Sequence, residues 1–118
     1  MIENMRKEFI PKEGDIVKIH VAFARYERDY MLVIWPNEDD IIINSDGYAA
    51  VTRVNFLIDL NGEYHDYYKS FGFDTKVDAL LKPNIKDIIE FSRMLRKNGL
   101  RYNRKKKQII KVNDESNG

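Results

Sequence analysis

Turn-forming residues break the first two-thirds of this chain into short runs, and that punctuation constrains its fold more than any other feature. Pro11 fixes φ ahead of Gly14, a residue free to take the positive φ that others resist. Behind this turn, Ile16, Val17, Ile19, Val21 and Phe23 mostly alternate with Lys18, His20 and Ala22, the pattern of a half-buried strand. Tyr30 to Trp35 is a second, more continuous apolar run stopped by Pro36-Asn37. Ile41-Ile42-Ile43 is a third, closed by the turn Asn44-Ser45-Asp46-Gly47. Residues 48–60 read two ways, because Ala49 and Ala50 permit a helical start while Val51, Val54, Phe56, Ile58 and Leu60 favour a strand. Asn61-Gly62 is the two-residue signal of a type I′ hairpin and decides for strands, folding Arg53–Leu60 onto Glu63–Ser70.

The last third changes period. Asn84 is placed to cap a helix over Ile85–Asn98 whose apolar positions are Ile85, Ile88, Ile89, Phe91, Met94 and Leu95. Asp87 answers the cap in an approximate capping box, and Gly99 supplies a left-handed stop, with Leu100 making the accompanying apolar contact. Leu100-Arg101-Tyr102 and Gln108–Val112 flank polar Asn103–Lys107, which predicts a closing hairpin. The reading is a single α+β domain over residues 1–112, mostly antiparallel β. It comprises a barrel-like body at about 9–73, a helix–hairpin appendage at about 84–112, and a frayed tail at 113–118.

Charge is distributed unevenly. Residues 1–90 hold eleven Lys/Arg against seventeen Asp/Glu, whereas residues 91–112 hold nine Lys/Arg and no acid. An acidic body with a basic end raises the question of polyanions. With no cysteine, disulfides, zinc–thiolate sites, iron–sulfur clusters and cysteine nucleophiles are excluded. Met1–Glu8 has no apolar core of the kind a secretory signal carries, and no run approaches the roughly 18–20 apolar residues of a membrane span. A cytoplasmic location and no membrane partner are expected.

Two stretches carry family resemblances. Pro11-Lys12-Glu13-Gly14-Asp15-Ile16-Val17, followed by short strands, resembles the opening of small SH3-like barrels. The fold expected from the whole reading is a five- or six-stranded, strongly bent antiparallel sheet or SH3-like barrel, with the Ile85–Asn98 helix packed against it. Residues from about Leu80 to Val112 resemble the ending of small uncharacterised proteins of bacterial prophages and mobile elements, which place an aromatic and then Glu-Lys-Lys after a helix-ending glycine. Here Tyr102 stands for the usual Trp, and Arg104-Lys105 stands where an acid is common. The resemblance implies a shape and a genomic setting, and no catalytic residues.

Chemistry-bearing residues are sparse. His20 falls at a solvent-facing position, and His65 follows the hairpin turn beside Asp66. Neither is joined by a nucleophile in a strand–turn–helix elbow, so no catalytic residue is assigned. Glu38, Asp39, Asp40 and Asp46 offer oxygen ligands but lack the alternate spacing of a calcium loop. The six glycines form no phosphate loop. No cofactor or metal is expected. Tyr64, Tyr67, Tyr68, Phe71 and Phe73 suit a core, although adjacent Tyr67 and Tyr68 face opposite ways in a strand, leaving one to stack on a base.

The sharpest signal is Arg93, Arg96, Lys97, Arg101, Arg104, Lys105, Lys106, Lys107 and Lys111. Arg93, Arg96 and Lys97 share a helix face, and Arg104–Lys107 continue the charge if helix and hairpin pack together. Lysines at a hairpin tip also protect an edge, and cations near a helix C-terminus complement its dipole. The expectation is a non-enzymatic binding module contacting nucleic acid or another polyanion. Its alternative is a protein–protein adaptor or assembly factor meeting a partner at Glu38–Asp46 or an exposed sheet edge.

Overall fold

The structure is a computed structural model and describes residues 9–22, 25–66 and 72–112. Ten strands, a helix and two single 3-10 turns follow one another in the described chain. The strands are β1 (Ile16–His20), β2 (Tyr30–Ile34), β3 (Ile41–Ile43), β4 (Tyr48–Val51), β5 (Phe56–Ile58), β6 (Tyr64–Asp66), β7 (Phe73–Lys76), β8 (Leu80–Leu81), β9 (Leu100–Asn103) and β10 (Gln108–Lys111). The helix, α1, spans Ile85–Lys97.

Among the described residues the strands form three antiparallel sheets, ordered β6-β5-β2-β1-β8, β3-β4-β7 and β10-β9. The five-stranded sheet is buried on both faces because its central strands carry apolar side chains both ways. Val17, Ile19, Val33 and Leu57 point to one side, where Val51, Ile41 and Phe73 of the three-stranded layer and Val54 of the β4–β5 connection meet them. Ile16, Leu32 and Ile58 point to the other, against Phe91 and Leu95 of α1 and against Leu100, Tyr102 and Ile109 of the β9–β10 hairpin. The result is three layers with two cores.

The expected α+β, mostly antiparallel architecture is present, and the SH3-like barrel is not confirmed: no closed barrel is seen among the described residues. A barrel surrounds one core, whereas here a sheet with two apolar faces is covered from both sides and stays open. The helix packs on the sheet through Phe91 and Leu95, both wholly buried. Residues 48–60, read as leading into one strand, divide between β4 and β5 in different sheets. β7 and β8 were not expected.

Local signals hold at the helix. Asn84 Oδ1 accepts from the Asp87 N–H at 2.9 Å and Asp87 Oδ2 accepts from the Asn84 N–H at 3.0 Å, a full capping box. At the other end the Gly99 N–H donates to the Arg96 carbonyl. The hairpin after β5 forms, but as a different turn. The Gly62 N–H donates to Asp59 O, Gly62 takes φ +84°, and Asn61 keeps a negative φ, so the loop is a type I turn with a glycine bulge. Asp59 selects it by accepting the Asn61 and Glu63 N–H groups on Oδ1, both at 2.9 Å.

Candidate functional site

The basic segment occupies the outer layer. α1 turns Phe91 and Leu95 inward, which leaves Arg93, Arg96 and Lys97 exposed toward its C-terminal end. β9 leaves the helix at once and packs back along it, directing Leu100 and Tyr102 into the shared core and Arg101 to the opposite face. Between them lies a groove of about 420 Å³. Ile88, Leu100 and Tyr102 line its apolar part, and Arg93, Arg96 and Arg101 its charged part. These three arginines come from two elements, α1 and β9, and line one groove. A planar guanidinium can chelate phosphate oxygens, and an apolar floor beside it accepts the non-ionic part of the same ligand.

The other six predicted cations are placed differently. Lys105 and Lys106 extend from the hairpin tip, where their backbone N–H groups donate to Asn103 Oδ1 at 3.1 and 3.0 Å and their side chains are exposed. Lys111 is exposed on β10, opposite Leu100. Lys97 is exposed on the last helical turn. Arg104 lines a second groove beside Asp15, Tyr102 and Lys82. Lys107 serves the fold instead, since its ammonium pairs with Asp15 Oδ1 at 2.8 Å and its backbone takes φ 53°. The segment is therefore divided: Arg93, Arg96 and Arg101 line one groove, Arg104 and Lys107 line another beside the start of α1, and Lys97, Lys105, Lys106 and Lys111 are exposed.

Two contacts clamp the hairpin in that position. Tyr102 donates its hydroxyl hydrogen to Gly14 O at 2.6 Å. Gly14, at φ +87°, lies so close to Lys107 that a Cβ there would stand 2.5 Å from the Lys107 carbonyl oxygen. Burial, with Asp15 adding to it and Arg104 opposing, raises the Tyr102 pKa, so the phenol stays protonated and able to donate.

A polar network beneath α1 fixes the helix against the sheet, and nothing in the sequence pattern announces it. Lys18 Nζ lies 3.3 Å from Asp87 Oδ2 and 4.3 Å from the Tyr30 ring centroid. The Arg28 guanidinium stacks on the same ring at 4.0 Å and grips the Glu90 carboxylate through both terminal nitrogens. Glu90 is thereby committed to Arg28, leaving the C-terminal half of α1 basic.

The histidines and acids singled out in the sequence serve turns and ion pairs. His20 is exposed, 3.3 Å from Asp29 Oδ2. His65 meets Asp59 across the hairpin, with Nε2 to Oδ2 at 2.7 Å. Glu38, Asp39 and Asp40 form a 3-10 turn capped by Asn37, and Asp40 faces Arg53 at 3.7 Å. Asp46 accepts from the Tyr48 N–H within the following turn. Tyr64 and Phe73 pack on the two cores, and burial pushes the Tyr64 phenol pKa well up. Tyr67, Tyr68 and Phe71 lie outside the described residues. A cleft of about 570 Å³ opens between β10 and the Trp35–Asn37 turn, but it mixes Glu13 and Asp40 with Arg53 and Lys107 and favours no charge sign. No helix among the described residues is long and apolar enough to cross a membrane. Comparison of the chain with known protein families, curated proteins and solved structures finds no match.

Proposed function

We propose that this protein is a non-enzymatic binding module whose helix–hairpin face holds a polyanion, nucleic acid in particular. The observation that supports this reading is the groove in which Arg93, Arg96 and Arg101 border an apolar floor. Hairpin-tip lysines alone would be ordinary solubilising residues. Arginines on two different elements that line one cavity are a more specific arrangement, suited to phosphates. Lys97, Lys105, Lys106 and Lys111 are exposed and add to the charge of the segment.

The test is fluorescence anisotropy with labelled duplex DNA, single-stranded DNA and RNA at about 50 and about 200 mM salt. Binding should weaken about tenfold or more across that interval, as expected when several phosphates are neutralised. Arg93→Glu combined with Arg96→Glu should lower affinity more than Lys105→Glu combined with Lys106→Glu. Unchanged affinity in the arginine pair, or no binding at the lower salt, overturns the reading.

A second reading, a protein–protein adaptor or small assembly factor of a mobile element, is favoured by β3. It is the outer strand of its sheet, with Ile42 and Ile43 56% and 68% exposed next to the Glu38–Asp40 turn. Copurification of a single protein that survives nuclease treatment and is lost in Ile43→Lys would support it over the first.

A further inference from the structure

The hairpin opposite in charge to the basic one brings three metal-ligating side chains onto a single face. β5 and β6 pair with Leu57 opposite His65 and Ile58 opposite Tyr64, and the ladder continues as the Asp59 N–H donates to the Glu63 carbonyl. Side chains two apart share a face of a strand, so Glu63 and His65 project together, and Asp59 projects beside them from the facing strand. The His65 ring nitrogen, one Asp59 carboxylate oxygen and one Glu63 carboxylate oxygen all lie within 4.8 Å of one another.

From this geometry we infer a divalent transition-metal site, with Asp59, Glu63 and His65 as ligands and zinc, a redox-inert ion suited to them, as its probe. The inference is independent of the polyanion reading. An imidazole nitrogen with two carboxylates is a borderline donor set, which favours zinc over the hard, oxygen-seeking magnesium and calcium ions. Zinc binds such groups at about 2.0–2.2 Å, so its ligands stand on the order of 3 Å apart. His65 Nε2 and Asp59 Oδ2 already stand 2.7 Å apart, and the Glu63 carboxylate lies within 4.8 Å of both.

Two features prepare the site. Asp59 is held in place by the Asn61 and Glu63 N–H groups on Oδ1, which leaves Oδ2 directed at His65. Asp59 and His65 are about a quarter exposed and Glu63 is exposed, so the ion has a path from solvent and an open coordination position for water. A bound ion would replace the His65–Asp59 hydrogen bond with one coordinate bond to each. Arg28, whose guanidinium passes near Gly62, is paired with Glu90 and carries little unbalanced charge toward the site.

The chain has two histidines, which makes the test direct. Zinc is titrated into the full, 15N-labelled protein while the imidazole nitrogen resonances are followed. The expected result is one equivalent bound, with the His65 resonances shifting and those of His20 unmoved. Calorimetry with zinc should then show at least about tenfold weaker binding in His65→Ala and in Asp59→Asn, the latter keeping the oxygen that fastens the turn. Glu63→Gln should weaken it less, and His20→Ala not at all. Magnesium and calcium should bind at least about tenfold more weakly than zinc. Shifts at His20 instead of His65, no stoichiometric shift at either, or wild-type zinc affinity in Asp59→Asn overturns the site.

Discussion

The two polar hairpins are built to the same plan and supported in opposite ways. In β5–β6 the strands belong to the five-stranded sheet, Leu57 and Ile58 are buried on its two faces, and the turn is fastened internally by Asp59. In β9–β10 the two strands form a sheet by themselves, and their position is set by α1 and by the distant turn at Gly14 and Asp15. The acidic hairpin is therefore local in its specification, and the basic one depends on tertiary contacts. Its arginine groove is made by neighbouring elements, α1 and β9, but the hairpin is fastened to the body by residues far away in the chain.

Removing what the hairpins share should have the largest effect. Phe91 sits in the core to which Phe56 and Tyr64 of one hairpin and Leu100, Tyr102 and Ile109 of the other all contribute. Phe91→Ala should cost about 3–5 kcal/mol in urea unfolding and loosen both hairpins. Separating the two hairpins is the next step down. Gly14→Ala combines an unfavourable positive φ with a clash against the Lys107 backbone and should cost about 2–4 kcal/mol. Gly99→Ala is its control: φ is +74°, but no atom lies within 4 Å of the added carbon, and about 1 kcal/mol is expected. Hydrogen exchange should show amides of β9–β10 opening faster in Gly14→Ala while those of β5–β6 follow global stability. Equal loosening would remove the distinction between local and tertiary support. Tyr102→Phe, which deletes the hydrogen bond to Gly14 O, should cost about 1 kcal/mol and act on the same hairpin.

The smallest expected effect probes the acidic hairpin. Burial pushes the Asp59 pKa up, but hydrogen bonds from the Glu63 N–H, His65 and the Asn61 N–H outweigh it, and the net shift is downward from 3.8. A carboxylate with a folded pKa below its unfolded one contributes stability that is fully present above the unfolded value. That contribution is lost as pH falls through the folded value. Wild type should therefore exceed Asp59→Asn in urea midpoint near pH 6, with the gap closing below about pH 4. A gap independent of pH would mean that the carboxylate charge has no part in fastening this turn.

Features set by neighbouring residues were legible in the sequence. Asn84, Asp87 and Gly99 announce the helix with its cap and stop, and Asn103–Lys107 announces the second hairpin, because each signal is satisfied within a few residues. The Asn61-Gly62 signal located a hairpin but not its turn type, because the Asp59 side chain competes for the backbone donors. What depended on distant partners was hidden. The sheet assignment of β4 and β5, the second covered face of the large sheet and the pairing of Lys107 with Asp15 are examples. Of the basic face, the residue types were readable, but the way Arg101 joins Arg93 and Arg96 needed the packing of β9 on α1. His65 could have been paired with Asp59 by counting across the hairpin, since alternation places them on one face.

The bond from Tyr102 to Gly14 joins residues 88 positions apart. Closing so long a loop costs entropy before any contact offsets it, and folding slows as such long-range contacts come to dominate. The arginine groove can form from α1 and β9 as neighbours, whereas its alignment with the rest of the molecule waits for this distant closure. An ensemble caught before that step would carry the same charges on a hairpin free to swing. Arrangement, rather than charge, is what the late contact adds.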